Sequence, residues 1–161
     1  GLPAGRLIED QLRRIIRQQN WALMDIRINQ YEPFKDVYGF VAGDDVLRFT
    51  AMLMSEVLDE LGTPNDFIGH AGGNNFIIIT AEDSGATIRQ RMKTRFSEEV
   101  KTHYSFMDRE QGFITTLNSS GQPEKVSLMT LSVGTVSPSQ YQFADIREIT
   151  ELAAEARRRD A

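Results

Sequence analysis

The sequence predicts an α+β domain built on a ferredoxin-like, split βαβ sheet with helices on one or both faces. Three observations predict it. Apolar residues recur at helical spacing in several separate stretches. Short runs of strand formers lie between those stretches. The resulting order is helix, strand, helix, helix, strand, strand, helix, strand, strand, helix, which fits a mostly antiparallel sheet better than strictly alternating βα units.

The elements follow in chain order. Leu7, Ile8, Leu12, Ile15 and Ile16 predict an amphipathic helix over residues 4–18. Trp21 to Ile28 reads as a buried strand with one acid, Asp25, in its middle. A short helix is expected from Tyr31 to Tyr38, with Pro33 tolerated in its first turn and Gly39 ending it. Val46, Phe49, Leu53, Val57 and Leu61 line one face of a helix of about five turns, broken by Gly62-Thr63-Pro64-Asn65. Asp66–Gly69 and Asn75–Thr80 form a hairpin across Gly72-Gly73-Asn74-Asn75. Asp83-Ser84 can cap the next helix, whose inward face is Ile88, Met92, Phe96 and Val100. A second hairpin is expected from strands near Phe113–Leu117 and Val126–Val136, joined by Asn118-Ser119-Ser120-Gly121-Gln122-Pro123. The last helix runs from about Asp145 to Arg158, with Ile146, Ile149, Leu152 and Ala156 inward and cations in its final turn.

Composition narrows the function. The chain has 161 residues, the size of one domain, and 40% of them are hydrophobic. A net charge of −5 argues against a general nucleic-acid partner. The absence of cysteine excludes disulfides and thiolate metal sites and fits a cytoplasmic location. No apolar run approaches the roughly 20 residues needed to span a bilayer, so no membrane contact is expected from this segment. The abrupt opening Gly1-Leu2-Pro3-Ala4-Gly5 reads as a cut from a longer multidomain signalling protein, with residues 1–161 as one domain of it.

Six pieces, in order, resemble the GGDEF domain, the bacterial module that joins two GTP molecules into cyclic di-GMP. Gly1 to Ile8 is similar to a worn form of the family's opening Leu-Thr-Gly-Leu-Pro-Asn-Arg-Arg. Met24-Asp25-Ile26 resembles its metal-binding strand, and Phe34 to Asp44 its guanine-binding stretch. Gly72-Gly73 resembles its signature turn, Leu131-Ser132-Val133-Gly134 its last central strand, and Phe143 to Arg157 its C-terminal helix. The resemblance implies a palm-like nucleotidyl-cyclase fold with an extra β-hairpin near residues 104–127. It further implies a metal held by Asp25 and the Ile26 carbonyl, and nucleotide contacts from Lys35, Asp44, the Gly72-Gly73 backbone and Arg157.

The departures from the family pattern bear on activity. Asn74 and Asn75 stand where the family carries its acidic pair, and an amide oxygen is a much weaker Mg²⁺ ligand than a carboxylate. Arg27 replaces a second acid of the strand, about two extra residues lie within Arg27 to Pro33, and Lys35 takes the place of the guanine-reading asparagine. Thr63-Pro64-Asn65-Asp66 keeps the acid of the family's inhibitory product site but lacks its arginine.

The expected protein is therefore a degenerate GGDEF domain without catalytic residues, serving as a regulatory or nucleotide-sensing module. Its residual metal site at Asp25 and Ile26 is weak. Mg²⁺ is expected only if nucleotide binding survives. GTP or cyclic di-GMP, an upstream sensory or receiver domain of the same chain, and a second copy in a homodimer are the partners this implies. Two alternatives stand beside it: an active or weakly active diguanylate cyclase, and a pure protein-interaction domain with an empty cleft. Plainer readings exist for single features. Gly-Gly-Asn-Asn can be only a turn. Asp25 can simply pair with Arg27 or a C-terminal arginine. His70 can be a core or solvated residue, Arg157–Arg159 a solvated helix end, and Asp108-Arg109-Glu110 with Ser120-Gly121 a flap or partner contact.

Overall fold

The computed structural model describes residues 2–160; Gly1, the first residue of the opening motif, and Ala161 lie outside it. The central sheet has four strands: β1 (Trp21–Asn29), β2 (Phe67–Gly72), β3 (Asn75–Ala81) and β6 (Thr130–Val136). Their spatial order is β2-β3-β1-β6, and every neighbouring pair is antiparallel. A separate two-stranded ribbon pairs β4 (Phe113–Leu117) with β5 (Pro123–Ser127).

Helices cover both faces. Even-numbered residues of β1 and β3, among them Met24, Ile26, Ile28, Phe76 and Ile78, pack against α2 (Tyr31–Tyr38), α3 (Phe40–Leu61) and α4 (Gly85–Glu99). Odd-numbered residues Trp21, Leu23, Ile77 and Ile79 pack against α1 (Arg6–Ile15) and α6 (Ile146–Arg159). Each face thus follows from the two-residue period of a strand. A short α5 (Phe106–Gln111) leads into the ribbon. No helix among the described residues is long and apolar enough to cross a membrane.

Several expectations change. The first helix is shorter than residues 4–18, spanning Arg6–Ile15. α3 starts at Phe40, well before the apolar stripe, because Gly39 at φ 95° turns the chain directly from α2 into it. Ser84 does not cap α4: a 3₁₀ turn, Glu82–Ser84, feeds the helix, and Ser84 already has helical backbone angles. An N-cap needs the extended conformation that Asp145 adopts at α6, where its side chain accepts from Glu148 N at 2.9 Å. The expected strand Val126–Val136 is two strands. It breaks at Leu128-Met129, where the buried Met129 N–H donates to Tyr104 Oη at 2.9 Å instead of to a ladder. The second hairpin is therefore β4–β5 alone, and β6 belongs to the central sheet.

Candidate functional site

The face of the sheet that carries α1 and α6 changes character along β1. At one end Trp21 and Leu23 are buried with Ile77, Ile79 and Val136. Past them come Asp25, Arg27 and Asn29, opposite Ile77, Asn75 and no β3 residue on one side, and Gly134, Ser132 and Thr130 on the other. The apolar end is covered by helices. The polar end lies beneath the Gly72-Gly73 turn.

Gly134 sets how closely α6 approaches this boundary. A Cβ there would fall 2.1 Å from the backbone nitrogen of Arg157 and 2.3 Å from the carbonyl oxygen of Ala153. With only hydrogen at that position, α6 sits on the sheet and Arg157 reaches Asp25, directly across from Gly134. Arg157 Nε lies 3.1 Å from Asp25 Oδ1, and both side chains are nearly buried. The contact is charge against charge rather than an aligned hydrogen bond, for the buried Nε–H has no acceptor in line. Of the two simple partners open to Asp25, the C-terminal arginine is the one in place.

The turn residues complete the arrangement. Asn75 Nδ2 donates to Asp25 Oδ1 at 2.9 Å and to the Ile26 carbonyl at 3.2 Å. Two acceptors on one atom fix the amide with its nitrogen inward. Asn74 Nδ2 donates to the Ile28 carbonyl at 2.7 Å. Gly72 and Gly73 have φ of 100° and 53°, which lets a short connection reverse the chain, and the space beside both is open. His70 is a buttress of this turn: its Nε2 meets the Gly73 carbonyl at 2.7 Å and its ring stacks on Phe76 at 4.9 Å. Burial pushes the Asp25 carboxyl above its ordinary value, and the Arg157 charge and the Asn75 amide offset that only in part.

A Mg²⁺ ion fits this donor set poorly. Among the described residues Asp25 is the one carboxylate at the turn, and its Oδ1 already faces a guanidinium and an amide N–H. The Ile26 and Ile28 carbonyls each accept from an asparagine amide. Arg27, on the same strand and the same face, adds a positive charge near the site rather than a ligand.

The other residues picked out from the sequence form a second group. Lys35 pairs with Glu32 at 3.2 Å and lies over the Tyr31 ring. Gly43 lets α3 close on α2, since a Cβ there would stand 2.8 Å from Tyr31 Oη and 3.1 Å from Lys35 Cγ. Asp44, exposed beside it, acts on the Tyr31 hydroxyl, which burial first and then that charge push upward. Between the two groups runs a cleft of about 500 Å³, lined by residues 27–33 with Asn74, Ser127 and Thr130. Asp25, Lys35, Asp44 and Arg157 are not among its lining residues. β1 runs on to Asn29, and the residue opposite the turn's Asn75 is Arg27, with Asp25 two positions back against Ile77. Arg27, Asn29, Ser127 and Thr130 were not picked out as site residues. Arg27 was visible only as an extra charge, since a sequence does not show whether a cation has a partner.

Asp66 has a structural role. Its carboxylate accepts from Thr63 N at 2.9 Å and Thr63 Oγ1 at 2.7 Å, closing the turn after α3. Arg14, the arginine lining the neighbouring cleft of about 620 Å³, is held by Gln11.

Comparison with known proteins agrees with this architecture. A GGDEF-domain structure from Pseudomonas aeruginosa PA1120 (TpbB or YfiN) superposes with a TM-score of 0.69 at 17% identity, covering 99% of this chain and 84% of that one. The active GGEEF domain of a diguanylate cyclase from Vibrio cholerae gives 0.68 at 20% identity, covering 99% and 90%. Diguanylate cyclase SiaD from P. aeruginosa, solved with its activator SiaC, gives 0.69 at 19% identity, and this chain spans 55% of its length. Among curated proteins none matches the chain. The family profile described as diguanylate cyclase, GGDEF domain, matches residues 2–159, nearly the whole chain, and the chain belongs to the GGDEF domain family.

Proposed function

We propose that this GGDEF domain does not make cyclic di-GMP and acts as a regulatory or nucleotide-sensing module within a larger cyclic di-GMP signalling protein. The observation that carries the reading is the side chain of Asn75. Its amide nitrogen donates to Asp25 and to the Ile26 carbonyl, the two oxygens that would otherwise face a metal. Phosphoryl-group transfer rests on positioning and on neutralising charge that develops on phosphate oxygens. Here the group facing those oxygens is an amide, and the carboxylate is balanced internally by Arg157. The V. cholerae relative described as active carries Gly-Gly-Glu-Glu-Phe, whereas this chain carries Gly72-Gly73-Asn74-Asn75-Phe76. Loss of one preorganised electrostatic group commonly lowers turnover by ~10²–10³.

The test is direct. Purified protein is incubated with GTP and Mg²⁺ or Mn²⁺ across a range of protein concentrations, and cyclic di-GMP is quantified. No product above a no-enzyme control is expected. Product that rises with protein concentration and disappears in Asp25→Ala would establish an active cyclase instead.

A further inference from the structure

We propose that the surface around Tyr38, where α2 meets α3 and α5, docks a cationic amphipathic segment of a partner protein. The inference stands apart from whether the domain makes cyclic di-GMP. It rests on apolar exposure and charge at residues that line neither the turn nor the cleft beneath it.

Five large apolar side chains are left outward here. Phe40 is 71% exposed, Phe106 67% and Met107 75%, and Val37 and Val41 are exposed with them. They belong to three elements gathered at one anchor. Gly39, at φ 95°, takes the chain straight from α2 into α3, so Val37, Phe40 and Val41 flank Tyr38 in the chain. The Tyr38 hydroxyl accepts from Ser105 N at 2.9 Å and donates to Asp108, and Ser105 caps α5 directly before Phe106 and Met107. Leu7, Met52, Leu117 and Tyr141, also exposed, stand singly along the chain, as is ordinary on a protein surface. Apolar exposure gathered around one point marks an interaction surface, and these five side chains offer on the order of 500 Å² of it, about the apolar share of one side of a standard interface.

Charge decides the kind of partner. Over residues 31–48 and 105–111 six acids stand against three bases. Lys35 is paired with Glu32 and Arg48 with Asp45, which leaves Asp36, Asp44 and Glu110 without an ion pair among the described residues. Asp108 is bonded only by the neutral Tyr38 hydroxyl and Gln111 amide. The remaining base, Arg109, lies over the Phe106 ring at 5.8 Å. Asp44 follows Phe40 by one helical turn, and Glu110 follows Phe106 by one, so acids rim the apolar side chains on both α3 and α5. A second copy would bring the same acids face to face across a twofold axis, which like charges oppose. An anionic lipid surface is opposed in the same way. A segment that sets apolar side chains on the aromatic pair and Lys or Arg on the rim satisfies both features.

Binding is measured by fluorescence anisotropy with a labelled Leu/Lys amphipathic helical peptide and its Leu/Glu counterpart, titrated with the whole chain. The variants are Phe40→Ser with Phe106→Ser, Asp36→Asn with Glu110→Gln, and, as a control at an isolated exposed side chain, Met52→Ser. All five positions are at the surface, and circular dichroism confirms that each variant is folded. The Leu/Lys peptide is expected to bind, the Leu/Glu peptide is not, and each double variant should weaken binding tenfold or more while Met52→Ser leaves it unchanged. No binding of the Leu/Lys peptide, equal binding of the Leu/Glu peptide, a Phe40/Phe106 double variant that binds like the parent, or an equal loss in Met52→Ser would each overturn the proposal. So would dimerisation of the parent in sedimentation velocity that the Phe40/Phe106 variant abolishes, since a second copy would then be the occupant.

Discussion

At the scale of single residues, the account turns on Asp25. An acid in an otherwise apolar strand was legible as a special position, because burying an unpaired carboxylate is costly. Its partner was not legible, since Arg27 and three C-terminal arginines offered the same charge. The structure separates them by geometry: Gly134 admits α6, and Arg157 arrives at 3.1 Å. Arg157→Ala would leave a buried carboxylate with an amide as its main partner, and breaking such a pair by one member costs about 3 kcal/mol or more. Urea unfolding is expected to show that loss, with Arg157→Lys recovering part of it. His103 gives a separate, pH-dependent expectation. Its ring packs on Phe49 at 5.0 Å, and burial lowers its pKa, with Asp45 opposing weakly. The unfolded chain then binds the proton more readily than the folded one, so stability should fall as pH drops below about 6.5 and level off once the folded ring titrates. His103→Phe should flatten that limb of the urea-midpoint profile.

At the scale of elements, periodicity located the buried faces better than it located the ends. The stripe of Ile88, Met92 and Phe96 in α4, continued by Val100 in the 3₁₀ turn that follows, is fully buried as read. α3 extends further than its stripe because its first turn carries Phe40 and Val41 outward, where no period betrays them. The run from Val126 to Val136 has the composition of one strand. Only the tertiary hydrogen bond from Met129 N to Tyr104 Oη divides it, and such a bond leaves no local signal. The tight seat of α6 on β6 was likewise hidden in one glycine. Gly134→Ala would place a methyl 2.1 Å from backbone, which cannot yield as a flexible side chain would. Overpacking of this kind typically costs ~1–3 kcal/mol and shifts the backbone. The variant is expected to lose stability in that range and to move the Arg157 and Asp25 resonances together in NMR spectra. Lost stability with the Arg157–Asp25 contact undisturbed would mean that α6 is positioned by something else.

At the scale of the whole molecule, the order and type of the major elements were readable, and the family match over residues 2–159 bears out the resemblance on which the fold expectation rested. The site was readable only in part. Which residues face the turn depends on strand register, and the unbroken pairing of β1 with β3, from Trp21 opposite Ala81 onward, puts Arg27 opposite Asn75. A sequence shows that residues have been added, but not whether a strand, a loop or a helix absorbs them. The same register explains why neutral amides and a permanent cation gather beneath one turn, in a domain whose family chemistry depends on divalent metal. The measurement that tests this most directly is Mn²⁺ binding followed by electron paramagnetic resonance, in the parent protein and in the triple variant Arg27→Asp, Asn74→Asp, Asn75→Glu, each without nucleotide, which would itself chelate the ion. The parent should leave essentially all Mn²⁺ free while the variant binds it stoichiometrically. Stoichiometric Mn²⁺ binding by the parent would contradict the claim that its own side chains have taken the metal's place.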